Sequence, residues 1–155
     1  MTTSSEPKVR TALVTGSGSG IGAAVVKRLA QPGTRVVIHA KTNQTGCEAT
    51  AEAVKAAGGE AVIMLGDLSM PDTGSKLINH VVNTFGSLDI LVANAGFPVL
   101  KPFGELEADD MDYAYRVISQ SFFRMVSAAM PHLAKSTCGR VVAISSLNAH
   151  TFRSD

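Results

Sequence analysis

Short runs of consecutive apolar residues alternate along this chain with stretches whose apolar positions recur every three or four residues. The first pattern is that of a strand buried on both faces, the second that of a helix with one apolar side. Apolar runs at residues 9–15, 35–39, 61–65, 88–93 and 140–145 predict five strands, the second of them rich in β-branched residues. Between the first two, Ile21, Ala24, Val25 and Leu29 recur at helical spacing until Pro32 and Gly33 break the pattern. Residues 47–57 are alanine-rich and predict a helix stopped by Gly58 and Gly59; residues 71–85 predict another, ended by Gly86. A loop with Pro98, Pro102 and Gly104 leads into a long helix. Its predicted inner face carries Met111, Ala114, Ile118, Phe122, Met125 and Ala129, and Pro131 is expected to kink or end it. Residues 147–155 show no clear pattern.

Five strand–helix alternations without repeats or linkers predict a single α/β domain over residues 1–155, a Rossmann-type doubly wound parallel sheet with helices on both faces. Residues 1–8 are polar and are expected to be flexible. Charge narrows the partners: Lys and Arg number 14 against 13 Asp and Glu, so nothing favours a nucleic acid or an acidic membrane. No run approaches the ~18 apolar residues of a membrane span, and the start lacks an apolar signal segment. The default expectation is a soluble cytoplasmic protein. Cys47 and Cys138 form no framework and have no motif around them, so they read as ordinary small thiols. No metal-binding constellation stands out.

Candidate chemistry begins at Thr15-Gly16-Ser17-Gly18-Ser19-Gly20-Ile21-Gly22, directly after a strand and at the start of a helix. In that context Gly16 allows a sharp turn, Gly20 allows backbone to approach a pyrophosphate, and Gly22 allows close helix–sheet packing. Amides at the helix start then face an anion, aided by the helix dipole. The alternative is a plain flexible turn.

Three further segments end strands in the same way: Gly66-Asp67-Leu68 after the third, Ala93-Asn94-Ala95-Gly96 after the fourth, and Ile144-Ser145-Ser146 after the fifth. With the glycine loop, and in this order, they resemble the short-chain dehydrogenases/reductases over essentially the whole chain. The resemblance implies an oxidoreductase that transfers hydride between a nicotinamide and a carbonyl or alcohol, and a homo-oligomer. It implies that Gly16, Ser17, Ser19, Gly20, Ile21 and Gly22 hold the pyrophosphate region, that Asp67 and Leu68 line an adenine pocket, and that Asn94, Ala95 and Gly96 steady the sheet and approach the nicotinamide-side ribose. Asp67 also reads as a helix cap or turn residue, and Asn94 as purely structural.

A carboxylate at the end of the second strand would bind a ribose 2′-hydroxyl. That position is Ala40, followed by Lys41, Thr42 and Asn43, a cation and two hydrogen-bonding side chains, which favours NADP(H) over NAD(H). Ser146 matches the family's substrate-binding serine, while strand alternation predicts that Ser145 points elsewhere. The family's helix asparagine falls at Ile118, which can neither donate nor accept. Its tyrosine and lysine would follow the serine by a little more than a dozen residues, and only nine residues follow Ser146. Tyr113 and Tyr115 lie too early to replace them, and His150 reads as a solvated tail residue. The sheet is therefore expected to stop after its fifth strand. Three readings stay open: the cofactor-binding portion of an enzyme, a nucleotide-binding module without chemistry, and a truncated fragment.

Overall fold

A computed structural model describes residues 9–146. The predicted tail, His150 included, and the polar start lie outside the described residues. Five parallel strands, β1 (Arg10–Val14), β2 (Thr34–Ala40), β3 (Glu60–Leu65), β4 (Ile90–Ala93) and β5 (Arg140–Ala143), form one sheet in the order β3-β2-β1-β4-β5. The helices are α1 (Gly20–Leu29), α2 (Gln44–Ala56), α3 (Thr73–Phe85), α4 (Ala108–Tyr115) and α5 (Ser121–Leu133).

Alternation along the central strands divides the core in two. Leu13 of β1, Val37 of β2 and Leu91 of β4 face α3 and α5, against Leu77, Ile78, Val81, Met125 and Ala129. Their neighbours Ala12, Val14, Val36, Ile38 and Val92 face the other way, against Val26 of α1 and Cys47, Ala51 and Val54 of α2. Because both faces are covered, the strands read as continuous apolar runs. The register sets β1 Val14 beside Ile38 on one side and Val92 on the other, so the strands end nearly level.

Three expectations are corrected. The fourth strand begins at Ile90 rather than residue 88, although Leu88 is itself buried. The long helix is not uniform: residues Arg116–Gln120 form a π turn between α4 and α5. The Ser121 amide reaches the Arg116 carbonyl, and the Ser121 hydroxyl donates to the Val117 carbonyl. Such hydroxyl back-bonding competes with the regular ladder and loosens the turn. The inner face therefore shifts to Val117, Ser121, Met125, Ala129 and Leu133, and Met111 and Ile118 are exposed. Pro131 lies within α5, which continues to Leu133.

Candidate functional site

All four strand-end segments meet at the carboxyl edge of the sheet, where strand order reverses between β1 and β4. Ligands in open α/β sheets bind in the crevice outside such a point. The first turn of the glycine loop is held from within. The Ser17 hydroxyl donates to the Val14 carbonyl (2.6 Å) and accepts from the His39 amide (3.0 Å), so this fully buried side chain faces inward. Asn94 donates through Nδ2 to the carbonyls of Thr15 (2.9 Å) and Gly16 (3.2 Å). The Thr15 hydroxyl in turn accepts the amides of Asn94 and Ala95, both at 3.1 Å. The structural role foreseen for Asn94 is thus filled.

Gly20 and Gly22 differ sharply. Gly20 has φ +52°, and a Cβ there would meet nothing within 4 Å. A Cβ on Gly22 would sit against the Gly16 carbonyl oxygen and 2.6 Å from Asn94 Nδ2. Gly20 therefore faces open space, and Gly22 is a packing point. The α1 start is unguarded: Ser19 makes no side-chain cap and the first turn holds no acid. Its first amides lack intrahelical acceptors, and Ser19 borders the crevice.

Beside the loop lies a cavity of about 440 Å³ lined by Gly16, Gly18, Ser19, Lys41, Asp67, Leu68 and Tyr113, among others. Lys41 Nζ lies 2.7 Å from an Asp67 carboxylate oxygen and donates to the Tyr113 hydroxyl at 2.8 Å. The Tyr113 ring packs against Phe97, with centroids 5.2 Å apart. Asp67 and Tyr113 together hold the Lys41 ammonium well above its ordinary pKa. Partial burial pushes the Asp67 carboxyl up, but hydrogen bonds from Lys41 and Ser69 outweigh it and leave the group below the usual carboxylate range. Asp67 also accepts the Ser69 amide at 2.8 Å, so its turn role is real. Thr42 is exposed and does not line the cavity; Asn43 does, capping α2 through the Gly46 amide and donating to the Gly18 carbonyl.

A larger, more open cavity of about 1260 Å³ lies across the ends of β4 and β5, lined by Ile21, Asn94, Ala95, Gly96, Ile118, Phe122, Ser145 and Ser146, among others. Ser145 and Ser146 both line it, and β5 ends at Ala143, before either serine. Ile118 is exposed on the same wall, at the π turn. Among the described residues no cluster of His, Cys, Asp or Glu could hold a metal ion.

Two contributors carry no sequence signal. Tyr113 lies too early in the sequence for the family's tyrosine, yet α4 carries it over the smaller cavity. His39 sits inside a β-branched run, where a lone histidine carries no motif; only the pairing of β2 with its neighbours brings it under the glycine loop.

A family model described as short chain dehydrogenase matches residues 10–153. The chain is 34% identical over 140 residues to a versicolorin reductase of Emericella nidulans, covering 90% of this chain and 52% of that protein. It is also 34% identical to a hydroxynaphthalene reductase of Aspergillus fumigatus, covering 90% and 50% respectively. The chain therefore spans about half the length of these relatives. Among solved structures, a short chain dehydrogenase from Burkholderia cenocepacia in complex with NADP superposes with a TM-score of 0.86 at 34% identity, covering 92% of this chain and 58% of that one. A 3-oxoacyl (acyl-carrier-protein) reductase from Agrobacterium tumefaciens with NADP bound superposes with a TM-score of 0.82 at 35% identity, covering 91% and 54%.

Proposed function

The chain belongs to the short-chain dehydrogenase family of oxidoreductases, and from that premise we propose that its crevice holds NADP(H) and serves hydride transfer to or from a carbonyl or alcohol substrate. The observation that carries this reading is the unguarded α1 start beside Gly20, whose missing Cβ leaves room for a pyrophosphate against the backbone. The residues present fit the dinucleotide along its length. The amides around Ser19, Gly20 and Ile21 would take the pyrophosphate. Asp67 and Leu68 would border the adenine, and Ala95 and Gly96 the second ribose.

Cofactor choice rests on Lys41. No carboxylate stands at Ala40 to bind a 2′-hydroxyl or repel a 2′-phosphate, and Lys41 is the adjacent cation. Its exchange of Asp67 for a phosphate would keep the ammonium paired throughout. When bound, the cofactor supplies or accepts the hydride. Ser146 would orient the substrate oxygen with its hydroxyl, a donor aimed at growing negative charge. Ile21 and Phe122 give that cavity apolar walls.

A second reading, a nucleotide-binding module without turnover, is favoured by one feature: Ile118 stands where the family carries an asparagine. Titration of the chain with NADPH and NADH tests the cofactor reading. NADPH is expected to bind about tenfold more tightly, the scale of one exposed charge-assisted phosphate contact. Lys41→Asp is expected to reverse the order; a preference for NADH in the unaltered chain would overturn the choice.

A further inference from the structure

We infer that His39 is a positioning residue for the glycine loop, and that its protonation withdraws the loop from its anion-binding shape. The inference rests on the reading of that loop as a dinucleotide site. His39 makes four bonds here, three to the first turn and one to the end of β3. Its amide donates to the Ser17 hydroxyl at 3.0 Å, and its carbonyl accepts the Ser17 amide at 2.7 Å. Its ring nitrogen Nδ1 accepts the Gly16 amide at 3.3 Å, and Nε2 donates to the Gly66 carbonyl at 3.0 Å. The ring therefore ties the β1–α1 loop to the end of β3 beneath the smaller cavity, whose lining includes Gly16, His39 and Gly66.

These partners fix the tautomer. The Gly16 N–H is a donor, so Nδ1 must keep its lone pair; the Gly66 carbonyl is an acceptor, so Nε2 must carry the proton. Only neutral imidazole satisfies both. A second proton would go to Nδ1 and set a donor against the Gly16 amide in a side chain that is 2% exposed. Either the ring or the Gly16 peptide must then move. Gly16 cannot move alone, because its carbonyl is bound by Asn94.

The surroundings agree on sign. Burial lowers the His39 pKa below its ordinary value, more than the Gly66 carbonyl and the Asp67 carboxylate raise it. Asp67 is itself paired with Lys41, so the ammonium just beyond the end of β2 offsets part of its field. Cys47 of α2, the other titratable side chain near the loop, is driven up by burial and stays a thiol. A 2′-phosphate taking Lys41 from Asp67 would leave that carboxylate freer to favour a proton on His39 in the complex, so by linkage the His39 limb should be shallower for NADP⁺ than for NAD⁺.

The test is calorimetric titration of the chain with NAD⁺ and NADP⁺ from about pH 8 down to about pH 5, with His39→Asn alongside. NAD⁺ lacks the 2′-phosphate, whose own pKa is near 6, so an acid limb seen with NAD⁺ belongs to the protein. Affinity for NAD⁺ is expected to fall as pH drops below the His39 pKa, approaching tenfold per pH unit. In His39→Asn, which keeps an acceptor and cannot gain a proton, the limb is expected to vanish while circular dichroism shows the fold retained. The same limb in both chains overturns the inference. Amide NMR of the ligand-free chain gives an independent readout: the Gly16 resonance should titrate with the His39 ring. Failure of both dinucleotides to bind at neutral pH, with Gly16 still following His39, would sink the dinucleotide reading alone. A Gly16 resonance indifferent to the ring would overturn the inference whatever binds. A His39→Asn chain that does not fold leaves this NMR titration as the deciding measurement.

Discussion

Gly20 and Gly22 separate binding from folding. Gly20→Val places a branched side chain at φ +52° with free space around it. It should cost about 1–2 kcal/mol of stability from the left-handed backbone, yet abolish dinucleotide binding by blocking close approach. Gly22→Val meets the Gly16 carbonyl and Asn94, so it should destabilise by at least ~3 kcal/mol, the upper end of ordinary overpacking. Thermal melts paired with titrations check this; a Gly20→Val chain that folds and still binds would show that the loop is only a turn. The glycines were legible because their spacing and context are local. Ser17, within the same motif, faces inward, which no spacing reveals. His39 was illegible for the same reason: its partners Gly16 and Gly66 lie 23 and 27 residues away.

At the level of elements, strand and helix order could be read from apolar period alone, because both faces of the sheet are buried. The break in the long helix could not. Periodicity predicts Met111 and Ile118 on the inner face, and the π turn rotates them out. Its cause, the Ser121 hydroxyl on the Val117 carbonyl, is one ordinary serine in the sequence. Ser121→Ala should lower stability by about 1 kcal/mol, measured by urea unfolding, through loss of one buried hydrogen bond. Met125→Ala, which removes a 1% exposed side chain between α5 and α3, should cost about 2–5 kcal/mol. A larger loss at Ser121 than at Met125 would mean that the turn, rather than the apolar face, holds this helix. The same turn sets Ile118 on the wall of the larger cavity, so element geometry decides which residue meets a substrate.

At the scale of the whole molecule, the described residues leave apolar side chains exposed at the β5 end of the sheet. On β5, Val141, Val142 and Ile144 are exposed, and Phe123 of α5 is 73% exposed beside the larger cavity. Exposed apolar edges recruit other chains, so light scattering should show an apparent mass above that of the monomer, reduced by Val142→Lys. Turnover should be slow even with cofactor bound, because Ile118 can neither donate nor accept a hydrogen bond where the family carries an asparagine. Assays of NADPH oxidation against aldehydes and ketones check this, and substantial Ser146-dependent turnover would refute it. Stability should also fall in acid. The unfolded His39 takes a proton near its ordinary pKa of 6.5, whereas the folded ring takes it only at lower pH. Its contribution is therefore complete above that value and is lost as pH falls through the folded pKa, at up to about 1.4 kcal/mol per pH unit. The proposed dinucleotide lies across the carboxyl ends of the strands, and amide NMR mapping can locate it. On addition of NADP⁺, shifts should concentrate at residues 16–22, Lys41, Asp67, Leu68 and residues 94–96. Shifts confined to the opposite end of the sheet, around Arg10, Arg28 and Thr34, or no saturable shifts at all, would contradict it.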